Sequence, residues 1–435
     1  MTPFFQRLQD RLGPVWGPAA LLFVASRITD VVNAFIGIWL VPHYIPMKEL
    51  GAVLPLTQVA SFVALPLSIL LSPYIKLLNV HGEHGEYGKA KSLIRDASIL
   101  AAVVFVVTLV ATPFFFENIF QKFQIENGRL ALAIVLSAIL GALSPVFTET
   151  LRALKRFGVT AATTAFAGPV RLALMLVLLP FRGLTGYFVA QSGTSLYSSA
   201  IALIDFFRRH GKVAFAPYWK EDRKVFLSFC IPLTILSILG QFRCLQEMLL
   251  MPLIPAAESA AYYQLTRFTE IASYLGGTLV FILFPLASAA HEKGRGSARL
   301  LTQTTLWTFV AGTAVSALLA LFGHALFEAI GFLRPYAPYT KYFFPLGLFA
   351  TLRVSGSCVI THETACARFS YGWYAGPISA AEIILIRLLL SPKYGPATPW
   401  TLDRVIAIML GVQAVVFFCN IVQLFFIRRR ERRNA

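Results

Sequence analysis

The stretch IPMKELGAVLPLTQ (residues 45–58) recurs 209 positions later as IPAAESAAYYQLTR (254–267), with Ile, Pro, Glu, Ala, Leu and Thr in register. One match of this kind is weak. Three more follow in the same order: GKAKSL (88–93) over GSARLL (296–301), TETLRALKRFG (148–158) over HETACARFSYG (362–372), and AGP (167–169) over AGP (375–377). All four fall at shifts of 208 to 214 residues, so the chain reads as two copies of one unit.

What each copy contains follows from composition. The 435 residues are 57% hydrophobic and 14% charged, against roughly 25% charged for an ordinary soluble domain. Apolar runs of about 20 residues, each long enough to cross about 30 Å of hydrocarbon as a helix, recur along the whole length. Twelve spans are expected, at 18–41, 50–75, 97–116, 130–151, 159–181, 184–206, 226–250, 258–289, 301–322, 342–364, 372–391 and 404–427. The expected class is therefore an all-α integral membrane protein of about twelve transmembrane helices in two pseudo-symmetric six-helix bundles. Residues 1–206 form the N-terminal lobe, 207–225 a linker and 226–435 the C-terminal lobe. Six crossings return the chain to its starting side, so the halves share an orientation and are related by an axis along the membrane normal. This is the parallel-repeat arrangement of transporters, with a central site opened alternately to each side.

The net charge of +17 would suit nucleic acid, but its distribution points elsewhere. The N-terminus, the tail and alternate loops on one side hold 24 of the 38 Lys and Arg residues, and the opposite side holds eight. That asymmetry places both termini in the cytoplasm. The basic stretch 208–224 reads as a loop facing lipid headgroups rather than a nucleic-acid site. The first span is long and has no evident cleavage site, so it reads as a retained helix. The five cysteines form no C-x-x-C, no histidine pair has metal-ligand spacing, and neither H-E-x-x-H nor a phosphate-binding glycine loop occurs. No cofactor, metal or enzymatic activity is expected. His81 and His84 fall in a Gly-rich loop and read as solvated.

Six arginines lie inside the spans: Arg27, Arg171, Arg243, Arg267, Arg353 and Arg387. Each would cost roughly 2.5–3.5 kcal/mol at a helix centre facing lipid, so each must face protein or water. Arg243, Gln246 and Glu247 share one helix face at i, i+3 and i+4, with Gln241 just before them. Gln264, Arg267 and Glu270 follow at three-residue steps, as do Arg27, Asp30 and Asn33. The repeat sets Asn33 opposite Arg243 and Gln58 opposite Arg267, which suggests one cationic cavity built from helices 1, 2, 7 and 8. The alternative is a set of self-satisfied pairs, Arg27 with Asp30, Arg243 with Glu247 and Arg267 with Glu270. Arg171, Arg353 and Arg387 have fewer polar neighbours on their own faces and read as structural. Glu149 and Glu363, equivalent in the repeat, read as helix caps or partners of nearby basic loop residues.

The module LIPAAESAAYYQLTRFTEIASYLGGTLVFILFPLASAAHEKGR (253–295), followed by SARLL, resembles a segment of the polysaccharide and O-antigen flippases of the MOP superfamily; IPMKELGAVLPLTQ resembles the matching N-terminal module. The resemblance implies a MATE-like fold, a bacterial inner-membrane location and transfer of an undecaprenyl-linked saccharide to the periplasmic leaflet. The implied partners are that lipid-linked glycan and membrane lipids, for a monomeric transport unit with proton or sodium coupling open. Guanidinium groups pair bidentately with phosphate oxygens, which suits such a cargo. Members of the family often carry Asn-x-Asp in the seventh helix, where this chain has Gln241-Phe242-Arg243. The alternative is a MATE-type cation or multidrug antiporter with Asp30 as its proton or sodium carboxylate.

Overall fold

The computed structural model describes residues 21–123, 128–154, 156–219, 222–223, 250–292, 296–366, 370–389 and 400–434. Among them every regular element is helical, as lipid demands of a chain that must satisfy its own backbone. The helices are α1 (Leu21–Tyr44), α2 (Val53–Glu83), α3 (Tyr87–Phe123), α4 (Gly128–Ala153), α5 (157–182), α6 (184–210), α7 (Ala256–Glu292), α8 (Ala298–Ala329), α9 (Phe343–Ala365), α10 (Gly372–Leu389) and α11 (Leu402–Asn434). Each coincides with an expected span; the remaining one, 226–250, lies outside the described residues apart from Leu250. Among the described residues eight stretches are long and apolar enough to cross a membrane, with mean hydropathy from 1.5 to 2.5. The chain is a multi-pass helical membrane protein.

Two local signals shape the first helices. Pro42 has no N–H to offer Ile38, and just before it α1 widens into a π-turn at Ile36–Leu40, with Val41 N–H reaching back to Ile36 O. Between α5 and α6 the backbone is helical except at Gly183 (φ 48°, ψ −128°), a conformation only glycine adopts readily. An added Cβ on Gly193 would come 2.7 Å from Leu174, Arg171 bonds Gln191 and Arg156 reaches Asp205. These pairings run in opposite directions along the chain, so α5 and α6 form an antiparallel hairpin turned at Gly183.

The described chain divides into two compact units, one holding 21–45 and 55–223, the other 46–54 and 250–434. In the first, α1 lies close on α5, since an added Cβ on Gly168 would meet Thr29 Cα at 3.0 Å. The chain after α6 then crosses the start of α3 as a strap. Ala216 N–H donates to Gly88 O (3.2 Å), Ser92 Oγ to Ala216 O (2.8 Å), Lys91 Nζ to Gly211 O (2.8 Å) and Tyr218 OH to Asp96 Oδ2 (2.9 Å). Gly88 permits this approach: a Cβ there would lie 2.7 Å from Ala214 O. His81 is not solvated as its loop-like sequence suggested. It is 3% exposed and bonded on both ring nitrogens, because α2 continues through it and the strap covers it.

In the second unit the short helix Met47–Leu50 packs on the start of α7. Ser259 Oγ donates to Gly51 O at 2.9 Å, and a Cβ on Gly51 would meet Ser259 Cβ at 2.7 Å. The two stretches that are copies in sequence therefore pack on each other, around Gly51 and the neighbour of its counterpart Ala260. Small residues bring the other helices together: Gly312 abuts Thr351, Gly347 abuts Ser316 and Gly323 abuts Phe343. At the far end two second-copy motifs, at Ser297 and at His362, meet. Glu431 accepts from the N–H groups of Ser297 and Ala298, both at 2.9 Å, and so caps α8. Ser297 Oγ bonds His362 Nε2 at 2.7 Å. Glu363, 1% exposed, takes its bonds from Ser370 and from Gln423 Nε2 (3.3 Å). The nearby basic loop residue, Arg368, lies outside the described residues.

Candidate functional site

Polar residues inside the spans gather at separate places in the two units. On α1, Arg27 and Asp30 pair at 2.9 Å, each about a quarter to a third exposed (31% and 26%), and the Arg27 guanidinium lies 5.2 Å from the Phe23 ring centroid. Asn33, one turn further, does not join them. Its Oδ1 accepts from Arg171 Nη1 on α5 at 3.1 Å. Arg171 Nη2 donates to Tyr187 OH (3.3 Å) and Gln191 Oε1 (3.1 Å), both on α6.

Arg171 has few polar neighbours on its own face, as its sequence indicates. Its partners lie on other helices, α1 and the returning arm of the hairpin, where inspection of its own face does not look. The available signal was the turn at Gly183, whose register sets residue 171 beside 187 and 191. All three partners are neutral, no carboxylate contacts the guanidinium among the described residues, and its Nε is a buried donor without a partner. Neutral acceptors solvate the ion without cancelling its positive charge.

Beside this cluster, α1, α4, α5 and α6 enclose a cavity of about 400 Å³ whose lining includes Thr29, Ser144, Thr148, Glu149, Thr160, Thr163, Thr164, Thr194, Ser195 and Ser198. Several hydroxyls spend their proton on a backbone carbonyl: Thr29 on Thr164 (2.5 Å), Thr160 on Arg156 (3.1 Å), Thr163 on Val159 (2.9 Å) and Thr194 on Ala190 (2.9 Å). Their remaining lone pairs are acceptors, and among the described residues no Lys or Arg enters the lining. Sequence reading missed this cavity because threonines and serines scattered over four helices carry no periodic signal.

In the second unit, Arg267 Nη1 lies 2.9 Å from both carboxylate oxygens of Glu270, above the Tyr263 ring at 5.0 Å. Tyr274 OH donates to Glu270 Oε2 at 3.4 Å. Gln264 faces inward and is fully buried, so the expected three-residue stripe splits into a core residue and an accessible ion pair. Gln58 is half-buried on α2, and Arg353 is exposed on α9. Gln241, Arg243, Gln246 and Glu247 lie outside the described residues, as do the side chains of Glu382 and Arg387. Among the described residues no cluster of His, Cys, Asp and Glu could hold a metal ion. Cys358 and Cys419 are free thiols.

These features define a helical membrane protein with charged residues held inside its spans. Its fold is MATE-like, as comparison with solved structures shows. A multidrug-resistance MATE family transporter of the MOP superfamily in an inward-facing conformation superposes with a TM-score of 0.64 at 15% identity, covering 95% of this chain and 98% of that one. The outward-facing conformation of such a transporter gives 0.62 at 15% identity, covering 96% of each chain. A mutant Vibrio cholerae MATE transporter gives 0.63 at 14% identity, over 95% and 98%. No protein-family model and no curated protein matches the chain.

Proposed function

We propose that this chain is a membrane transporter that flips a lipid-linked saccharide, a polyprenyl-pyrophosphate oligosaccharide, across the bacterial inner membrane by alternating access. The observation that carries this reading is Arg171. Arg27 and Arg267 are each neutralised by a carboxylate one turn away, whereas Arg171 keeps its charge on three neutral acceptors. An uncompensated guanidinium inside a membrane unit favours a phosphate-bearing cargo and disfavours an organic cation. The resemblance of residues 253–295 to flippases supports the same cargo.

A second reading, a cation antiporter of the multidrug type, draws on the hydroxyl-rich cavity with Glu149, whose acceptor lining suits a cation or a proton. The structural neighbours named as multidrug transporters agree with it. One experiment separates the two. In cells lacking the chain, lipid-linked glycan should accumulate in the cytoplasmic leaflet. Wild type should clear it, and Arg171→Gln should not, although inserted at wild-type level. Full clearance by the variant, or wild-type efflux of an organic cation from proteoliposomes with no glycan transfer, overturns the proposal.

A further inference from the structure

The strap after α6 is held to the first unit by a buried histidine. His81 Nδ1 lies 2.5 Å from Glu86 Oε2 and its Nε2 lies 2.7 Å from Asp222 Oδ2. The side chain is 4% exposed, and that of Asp222 14%. Lys89 Nζ, 3.2 Å from Glu86 Oε1, closes the group. A carboxylate only accepts hydrogen bonds, and a neutral imidazole donates only one. Both contacts are therefore satisfied only when the ring carries two protons. In that state the positive charges of His81 and Lys89 face the negative charges of Glu86 and Asp222; without the second proton a ring lone pair faces a carboxylate oxygen.

We infer that His81 is a proton-operated clamp that fastens the strap, residues 211–219 with 222 and 223, to the α2–α3 turn and releases it when the ring gives up its second proton. The inference does not depend on what the protein carries.

The surroundings fit this assignment. The hydrogen bond from His81, and then that from Lys89, holds the Glu86 carboxyl below its ordinary value of 4.5, so it stays ionised under the ring. Burial pushes the Tyr218 hydroxyl well above its usual range, so its bond to Asp96 does not titrate where a histidine does. The other imidazoles near the turn are His84, exposed at the end of α2, and His210, stacked on Tyr87 at 3.8 Å.

The test uses the full-length protein in nanodiscs and two mass-spectrometric readouts across pH 5 to 9: backbone hydrogen–deuterium exchange of residues 211–223, corrected for intrinsic rate, and C2-proton exchange of His81 itself. Strap exchange should accelerate about tenfold or more, the worth of one charge-assisted hydrogen bond, over the same pH interval in which His81 titrates. Asp222→Asn should exchange fast at every pH, and His210→Gln should keep the wild-type step. A strap whose exchange is flat across the titration of His81, or a step that survives His81→Gln, overturns the clamp. Wild type alone decides the first outcome if the variants fail to fold.

Discussion

Replacing Arg171 by Met tests whether this arginine serves function or folding. Three hydrogen bonds of 3.1 to 3.3 Å are lost, about 1 kcal/mol each at such lengths. The contact with the Tyr187 ring, 5.8 Å from centroid to guanidinium carbon, adds about 0.5 kcal/mol. Against this, a methionine removes an intramembrane charge whose insertion costs roughly 2.5–3.5 kcal/mol. The two sides cancel to within about 1 kcal/mol, so thermal unfolding in detergent should move by only a few degrees. Glycan transfer should fall much further, about tenfold or more, because a charge-assisted contact to phosphate is worth roughly 1.5–3 kcal/mol. Arg171→Lys should restore part of the transfer, since an ammonium keeps the charge without the planar fork. Unchanged transfer in the Met variant would refute the reasoning. So would a large loss of thermal stability with transfer falling only in proportion, which would make Arg171 a structural residue.

Other outcomes follow from the geometry. Gly183→Ala forces an alanine into a backbone conformation reserved for glycine, which should cost about 1–3 kcal/mol and lower the yield of folded protein in a fluorescence size-exclusion assay. Gly88→Ala places a methyl 2.7 Å from Ala214 O; the strap must shift, and protease nicking between 211 and 219 should rise. Glu431→Ala leaves the N–H groups of Ser297 and Ala298 without their carboxylate and should destabilise the second unit by about 1–2 kcal/mol in thermal unfolding. On the acid side, Glu86 has a depressed carboxyl. Its contribution is present above the ordinary value of 4.5 and lost as pH falls through the lower folded value, so strap protection should decline there too, and should do so less in Glu86→Gln.

What the sequence determined by itself is the part that depends on the chain's neighbours along its length. Apolar runs located eleven described helices because lipid leaves the backbone no other partner than itself. The gap between the expected spans 159–181 and 184–206 marked the α5–α6 turn, and the repeat motifs marked residues that matter: Gly51 and Gly88 stand at close packing, Ser297 and His362 in the capping network, and Glu363 in a buried cluster with Ser370 and Gln423. Pairs within one turn, Arg27–Asp30 and Arg267–Glu270, were also legible, since helix geometry alone brings them together. What only the tertiary structure decided involves partners from different helices. Arg171 meets Asn33 and Gln191, His81 meets an aspartate 141 positions away, and hydroxyls from four helices share one cavity. Helical periodicity fixes which face a residue occupies; which helix comes to lie against that face is set by packing across the whole unit, and no local spacing encodes it.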